Sequence, residues 1–265
     1  MIKKLRVTVI TQDDSFVIPR NIQLLFGMEQ VEIVAVAKIN ANANGSMAGK
    51  KMLFFKGFGV IQSAKLAILS SINTIVNTFD SLFLYKLGFM KSLPAAASAC
   101  GAKYKVLSNP NSAESIGWLE SLSLDLVISY SAPCVFKAEL LQLPRYGCIN
   151  LHCSLLPAYA GILPSFWTLY EKAEQLGATV HKMDNKIDNG TILGQVKVPI
   201  PSNPSMFSVI KATKLAGGRL MVLVIKGILD DTSMERPNII EPGKHYTWPT
   251  VKQIKDFRLG GGRLI

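Results

Sequence analysis

Residues 146–194 read YGCINLHCSLLPAYAGILPSFWTLYEKAEQLGATVHKMDNKIDNGTILG. An apolar run at 146–151 carries Asn150, and His152 follows it before Ser154-Leu155-Leu156-Pro157 turns the chain. A glycine-marked loop around Gly161 leads to a short helical pattern, and a second strand pattern covers 178–184. The turn after that strand carries Asp188 and Gly190. Strand side chains two apart share a face, so Asn150 and His152 project together. A carboxamide beside an imidazole can donate hydrogen bonds to an oxygen that gains negative charge. A carboxylate arriving from a second strand can set the charge of the imidazole or take up a proton through water. None of the three is a strong nucleophile, so the set suits transfer of a group to a nucleophile that the substrate brings.

Outside this stretch, strand and helix patterns alternate. Residues 6–11 (RVTVIT), Val31–Ile39, Lys103–Leu107 and 125–130 (DLVISY) are β-branched or buried-type runs. Helical patterns cover 17–26, 112–121, 137–142, 205–229 and 251–257. The alternation predicts an α/β, Rossmann-like, doubly wound and mostly parallel sheet with a short C-terminal extension. Residues 192–200 alternate in polarity and predict an antiparallel edge strand. In such sheets ligands bind beyond the carboxyl ends of the strands. The segments 130–136, 152–161 and 184–190 are all expected at such ends. The domain boundaries expected are 1–200 for a catalytic unit with a helical insertion at about 57–101, and 201–265 for a helix and extension.

Two nucleotide motifs are excluded. The turn Gln12-Asp13-Asp14-Ser15-Phe16 lacks the G-x-G-x-x-G of a dinucleotide site, and Ser15 is expected to cap the helix after it. The polar stretch 40–51 (NANANGSMAGKK) is expected to be a loop. Its Gly45-x-x-x-Gly49-Lys50-Lys51 is one residue short of a P-loop and lacks the Ser or Thr that binds magnesium.

The insertion is the least ordinary part. Ile61, Ala64, Ile68, Ile72 and Ile75-Val76 recur at helical spacing within 58–79, and a further helix is expected over 82–100. A packed helix is the expectation, with a membrane-adjacent face or a homodimer contact through 58–100 as the alternatives. The charge-free span 66–79 is read as too short and too polar to cross a bilayer. Farther on, a short strand is expected near 238–240 and a loosely held end at 260–265.

The net charge of +11 fits either solubility with nonspecific attraction to anions or an acidic ligand such as a nucleotide, a phosphosugar or a polyglutamate tail. The basic residues are scattered and not interleaved with aromatics, so a nucleic-acid surface is not expected. Cysteines stand at 100, 134, 148 and 153, and Met-Ile-Lys-Lys-Leu-Arg runs straight into a strand. A cytoplasmic chain with free thiols and no signal peptide is expected. Cys148 and His152 share a strand face while Cys153 points away, so no metal site is expected.

The spacing Asn150-x-His152-x-Ser154-Leu-Leu-Pro157, then Gly161, then Gly177-x-Thr179-x-His181-x-x-Asp184-x-x-x-Asp188-x-Gly190-x-Ile192-Leu193-x-Gln195 resembles the 10-formyltetrahydrofolate-dependent formyltransferases. That family includes glycinamide ribonucleotide transformylase, methionyl-tRNA formyltransferase and the sugar N-formyltransferases. The resemblance implies 10-formyltetrahydrofolate as donor and a primary amine as acceptor. It implies that Asn150 and His152 polarise the formyl oxygen, and that Asp188 keeps the histidine protonated and helps remove the amine proton through water. Ser131, Pro133, Cys134, Val135 and Phe136, with the backbone around Asp184, match positions that enclose the pterin ring. His181 matches a structural position and is not expected to be catalytic. Known tRNA enzymes of the family carry a C-terminal barrel domain that the tail is too short to form. The first loop is poor in the glycine of a ribonucleotide-phosphate cradle. The resemblance is therefore nearest in type to the sugar N-formyltransferases, with a nucleotide-linked amino sugar as the expected acceptor. A formyltetrahydrofolate hydrolase and a non-catalytic folate-binding protein are the other readings.

Overall fold

The computed structural model describes residues 4–14, 16–40, 47–89 and 91–265. Seven strands form one sheet: β1 (Leu5–Thr11), β2 (Val31–Ile39), β3 (Lys103–Leu107), β4 (Leu126–Tyr130), β5 (Cys148–His152), β6 (Leu176–Lys182) and β7 (Ile192–Val198). Their order is β3-β2-β1-β4-β5-β6-β7. The first five are parallel; β6 runs antiparallel to β5, and β7 antiparallel to β6. The helices are α1 (Ile18–Leu24), α2 (Met47–Leu82), α3 (Leu93–Ala99), α4 (Ala113–Glu120), α5 (Ala138–Gln142), α6 (Pro164–Tyr170), α7 (Met206–Leu229) and α8 (Val251–Leu259).

Strand alternation divides the core between the two faces. Leu126, Ile128, Ile149, Leu151, Ala178 and Val180 point to the face covered by α1, α3 and α7. Val127 and Cys148 point to the opposite face, covered by α4 and α5. Central strands buried on both sides need no polar alternation, and all five residues of β4 are buried. A third cluster joins Phe58 of α2, Phe166 and Trp167 of α6, Ile254 and Phe257 of α8, and Leu264.

Several sequence expectations are corrected. Ser15 and residues 41–46 of the expected polar loop lie outside the described residues, but helix begins at Met47 within that stretch. Asp14 Oδ1 accepts the backbone N–H groups of Phe16 and Val17 ahead of α1. No single helix covers 82–100. Leu84 and Tyr85 adopt positive φ and end α2, and α3 starts only after Ser92, whose side chain caps it beside Pro94. α2 is itself two helices joined at Gly59, where φ is 80°.

The outward side of α2 is not packed: Ile61 is 74% exposed and Ile68 60%. Met52–Leu82 is also long and apolar enough, by length and composition, to cross a membrane. Residues 238–240 form no strand. Instead the tail makes isolated bridges, Arg236 to Ile192 and Tyr246 to Gly161. Its end is anchored: Leu264 is buried, and the backbone N–H groups of Met206 and Phe207 donate to Arg263 and Leu264.

α7 packs closely through paired glycines, Gly217 against Leu151 of β5 and Gly218 against Asn21 of α1. A Cβ on Gly218 would stand 2.3 Å from Asn21 Oδ1. Asn21 is wholly buried and donates to the Lys214 carbonyl, so it cannot step aside without losing that bond. Gly-to-Ala in a helix ordinarily gains about 0.5–1 kcal/mol, whereas overpacking costs about 1–3 kcal/mol. Urea unfolding is expected to show Gly218→Ala less stable than wild type by about 1–2 kcal/mol. Gly117→Ala, in open space on α4, is expected to be neutral or to gain up to about 1 kcal/mol.

Candidate active site

The site grows from the register of β5 on β6. Asn150 pairs with His181, and His152 with Thr179. Directly paired residues share a face, so these four side chains lie together on the sheet face that also carries Cys148. Because β6 is antiparallel, Lys182 lies beside Ile149 near the start of β5. The following turn is therefore not at a carboxyl edge of the sheet, contrary to the sequence expectation. It folds back across the face and delivers Asp188 to the two histidines.

The Asp188 carboxylate is the hub. Its Oδ2 is 3.3 Å from His152 Nδ1 and accepts the Gly161 backbone N–H at 2.8 Å. Its Oδ1 is 3.5 Å from His181 Nε2. Asp188 is held at φ 51°, and Asn238 donates from its side chain to the Asp188 and Gly190 carbonyls. Gly161 has φ 111°, and a Cβ there would meet the Tyr246 carbonyl at 2.2 Å, so the loop closes on the tail only with glycine at this position. Tyr246 in turn hydrogen-bonds the backbone of Ala160 and Ile162 on either side.

Hydrogen-bond partners constrain the histidines. His181 Nδ1 lies 2.7 Å from the Lys182 carbonyl and must donate there, which leaves Nε2 to accept from Asn150 Nδ2 at 3.1 Å. His152 Nε2 lies 3.0 Å from the Tyr159 carbonyl and donates to it. Its Nδ1 faces the Asp188 carboxylate, so a second proton on this ring would complete an ion pair. Burial opposes that proton. Desolvation, assisted by the nearby His181, lowers the His152 pKa against the upward pull of Asp188 and the Tyr159 carbonyl. Burial also acts to raise the Asp188 pKa, but His152, His181 and the Gly161 N–H outweigh it and hold the carboxyl down at about 2. The result is an ionised carboxylate beside an imidazole whose protonation burial opposes.

Asn150, His152 and Asp188 thus meet at one point. His181 joins them, although its place in the pattern reads as structural. Its cross-strand pairing with Asn150 was the missing signal, and pairing register is not written in one strand alone. Asp184 is engaged within its own turn, accepting from the Lys186 N–H and from Asn189 Nδ2. Ser131 has φ 56° and opens the loop after β4. Cys134 is half-buried beside the second core together with Met183, which links this loop to the start of the Asp184 turn. The Phe136 side chain is wholly buried in that core, so Val135, 40% exposed, is the apolar side chain the loop presents outward. The Asn111 side chain clamps the loop, donating to the Val135 carbonyl and accepting from the Lys137 N–H. Trp167 and Tyr159 are packed against Tyr246, and Trp248 against Phe54. Among the described residues, no group of three or more His, Cys, Asp or Glu side chains is placed to hold a metal ion.

A second feature arises at the end of β1. Lys214 of α7 forms a buried ion pair with Asp14, which neutralises the acidic first loop. Next to it a cavity of about 130 Å³ is lined by Phe16, Arg20, Asn73, Lys91, Phe207 and Lys211. Its three cations come from α1, the segment before α3, and α7, so no local pattern announces them.

The linked Asn150, His181, Asp188 and His152 side chains offer hydrogen-bond donors and a proton acceptor on this sheet, with no strong nucleophile among them. Residues 95–225 match the profile of the Formyl transferase family. The chain is 34% identical over 128 residues to a methionyl-tRNA formyltransferase of Clostridium perfringens, a match covering 48% of this chain and 41% of that protein. The chain thus spans less than half the length of the curated relatives it matches. Its fold is similar to glycinamide ribonucleotide transformylase 1 of Symbiobacterium toebii, with TM-score 0.61, 15% identity, and coverage of 90% and 95% of the two chains. It is also similar to a sugar 3N-formyltransferase solved in the presence of dTDP and 5-N-formyl-THF, with TM-score 0.55, 16% identity, and coverage of 94% and 70%.

Both shifts weaken the fold as pH falls, each in its own window. The stability contributed by Asp188, on the order of 2 kcal/mol, is complete above its unfolded value of 3.8 and is lost as pH falls towards about 2. The His152 ring, depressed below 6.5, disfavours the fold once pH drops under that value, because the unfolded chain then binds the proton more tightly. In an NMR titration the His152 imidazole is expected to have its midpoint below 6.5, and Asp188→Asn is expected to move it lower still. A midpoint that rises in the variant would contradict the geometry.

Proposed function

We propose that this protein is an N-formyltransferase that moves the formyl group of 10-formyltetrahydrofolate to the amine of a phosphate-bearing small molecule, with a nucleotide-linked amino sugar as the lead acceptor. The observation that carries the transfer is the meeting of Asn150, His152 and Asp188 at one buried point. The catalytic unit proposed is residues 1–200, with the extension 201–265 holding the site loops through Asn238 and Tyr246. The unpaired state of all four cysteines supports placing the reaction in the cytoplasm.

The chain's residues suit the donor. The loop 131–136 offers backbone groups and the exposed Val135, a combination that takes a flat ring with polar edges. Bound there, the folate supplies the activated formyl carbon. Asn150 Nδ2 donates to the formyl oxygen as negative charge develops, and His152 adds a second donor by turning its Nε2–H from the Tyr159 carbonyl to the same oxygen. The attacking amine loses a proton through water to the Asp188–His152 pair, where the carboxylate stabilises the charge gained by the ring. His181 orients the Asn150 amide through its Nε2.

The cavity of Arg20, Lys91 and Lys211 supports a phosphate on the acceptor, and Phe16 and Phe207 beside it offer faces for a base or sugar. Its volume suits one or two phosphates better than a polynucleotide. The tRNA formyltransferase relatives support methionyl-tRNA as a second reading.

A spectroscopic assay of tetrahydrofolate release from 10-formyltetrahydrofolate separates these. Release only with a nucleotide-linked amino sugar is the expected result. Release with no amine would identify a hydrolase, and release only with methionyl-tRNA the second reading. His152→Ala and Asp188→Asn are each expected to lower turnover by about 10²–10⁴-fold while folate binding persists. Wild-type rates in either variant would sink the assignment. Lys211→Ala is expected to raise KM for the acceptor with kcat largely kept.

A further inference from the structure

α2 is turned inside out. Beyond the kink at Gly59, its largest buried side chains are polar: Asn73 is 7% exposed and Asp80 1%, and Gln62 accepts the Ile265 N–H, while Ser70, Ser71, Thr74 and Thr78 are exposed. Its large apolar side chains face outward. Ile61, Ile68, Ile75 and Leu82 recur every seven residues and are 60–74% exposed, and Ile72 and Phe79 fill the same stripe. The apolar surface does not stop with the helix. Phe83 and Phe89, in the turn after it, are also exposed. Soluble monomers rarely leave so continuous an apolar surface uncovered.

We infer that this surface docks onto an anionic lipid bilayer, with α2 lying in the plane of the interface. The charges around the patch are of one sign. Lys56, Lys65 and Lys86 are exposed, Lys91 is half-buried, and the sole acid among described residues 52–91, Asp80, is buried. Lysines at the border of an apolar helix face reach the headgroups while their stems stay in the apolar layer. The helix does not cross the bilayer. Gln62, Asn73, Asn77 and Asp80 occupy its other side and belong against protein, and a spanning helix would bring them into hydrocarbon. A second copy of the chain fits the patch less well. The stripe has heptad spacing, but Lys65 interrupts it, no acid flanks it, and each copy carries net charge +11. Two such copies repel, whereas an anionic surface attracts. The turn residues Phe83 and Phe89 also lie off the helical stripe, where a partner helix has no use for them.

Vesicle flotation of the full chain tests this. The protein is expected to float with phosphatidylcholine vesicles containing phosphatidylserine. Binding should be weaker to pure phosphatidylcholine and weaker at high salt. The double substitution Ile68→Glu and Ile75→Glu, at exposed positions, is expected to lower the floated fraction by about tenfold or more with circular dichroism and thermal unfolding unchanged. The inference is overturned if the wild type stays unbound with anionic vesicles, or if the double variant floats equally well. It is also overturned if, without vesicles, the wild type sediments as a dimer that the double variant converts to monomer, since the patch then belongs to a second copy.

Discussion

The Asp188 carboxylate is buried, ionised and shared between two imidazoles and one backbone N–H. A charge in that position is tolerable only if every surrounding group is held in place. The requirement reaches far along the chain. Gly161 must be a glycine for its loop to approach Tyr246, and Asn238 must hold the carbonyls of Asp188 and Gly190. Tyr246 brings the tail against Ala160 and Ile162, so residues far from the motif in sequence define the cleft. The tail is thereby part of the site's support, and the buried Leu264 secures its end.

The same sheet brings charged groups together at two places. On the face of α4 and α5, the β5–β6 register collects Asn150, His152 and His181 around the carboxylate. At the end of β1, the Asp14–Lys214 pair cancels the negative first loop and leaves the neighbouring cavity cationic.

α2 stands between these ideas and the surroundings of the protein. Its inward side contributes Asn73 to the cationic cavity, while its outward side is a bare apolar stripe. One helix thus borders both the cavity and an external surface.

The sequence by itself determined the strand and helix alternation, the shared face of Asn150 and His152, and the antiparallel last strand. Each follows from local periodicity, which depends on residues close in the chain. Spacing within 146–194 also carried Asp188 to the same motif. Tertiary structure alone decided how Asp188 arrives, because the direction of β6 places its turn at the opposite end from the one that local patterns suggest. It alone recruited His181 through pairing, withdrew Phe136 into the core, and assembled Arg20, Lys91 and Lys211 from separate elements. It also reversed the expected orientation of α2. Helical periodicity shows that a helix has an apolar side and a polar side, but which side meets the protein depends on the surface it lands on. Here Asn73 and Asp80 turn inward and Leu66 packs on the apolar cluster of α6 and α8, while Ile61, Ile68, Ile75 and Leu82 are left facing out.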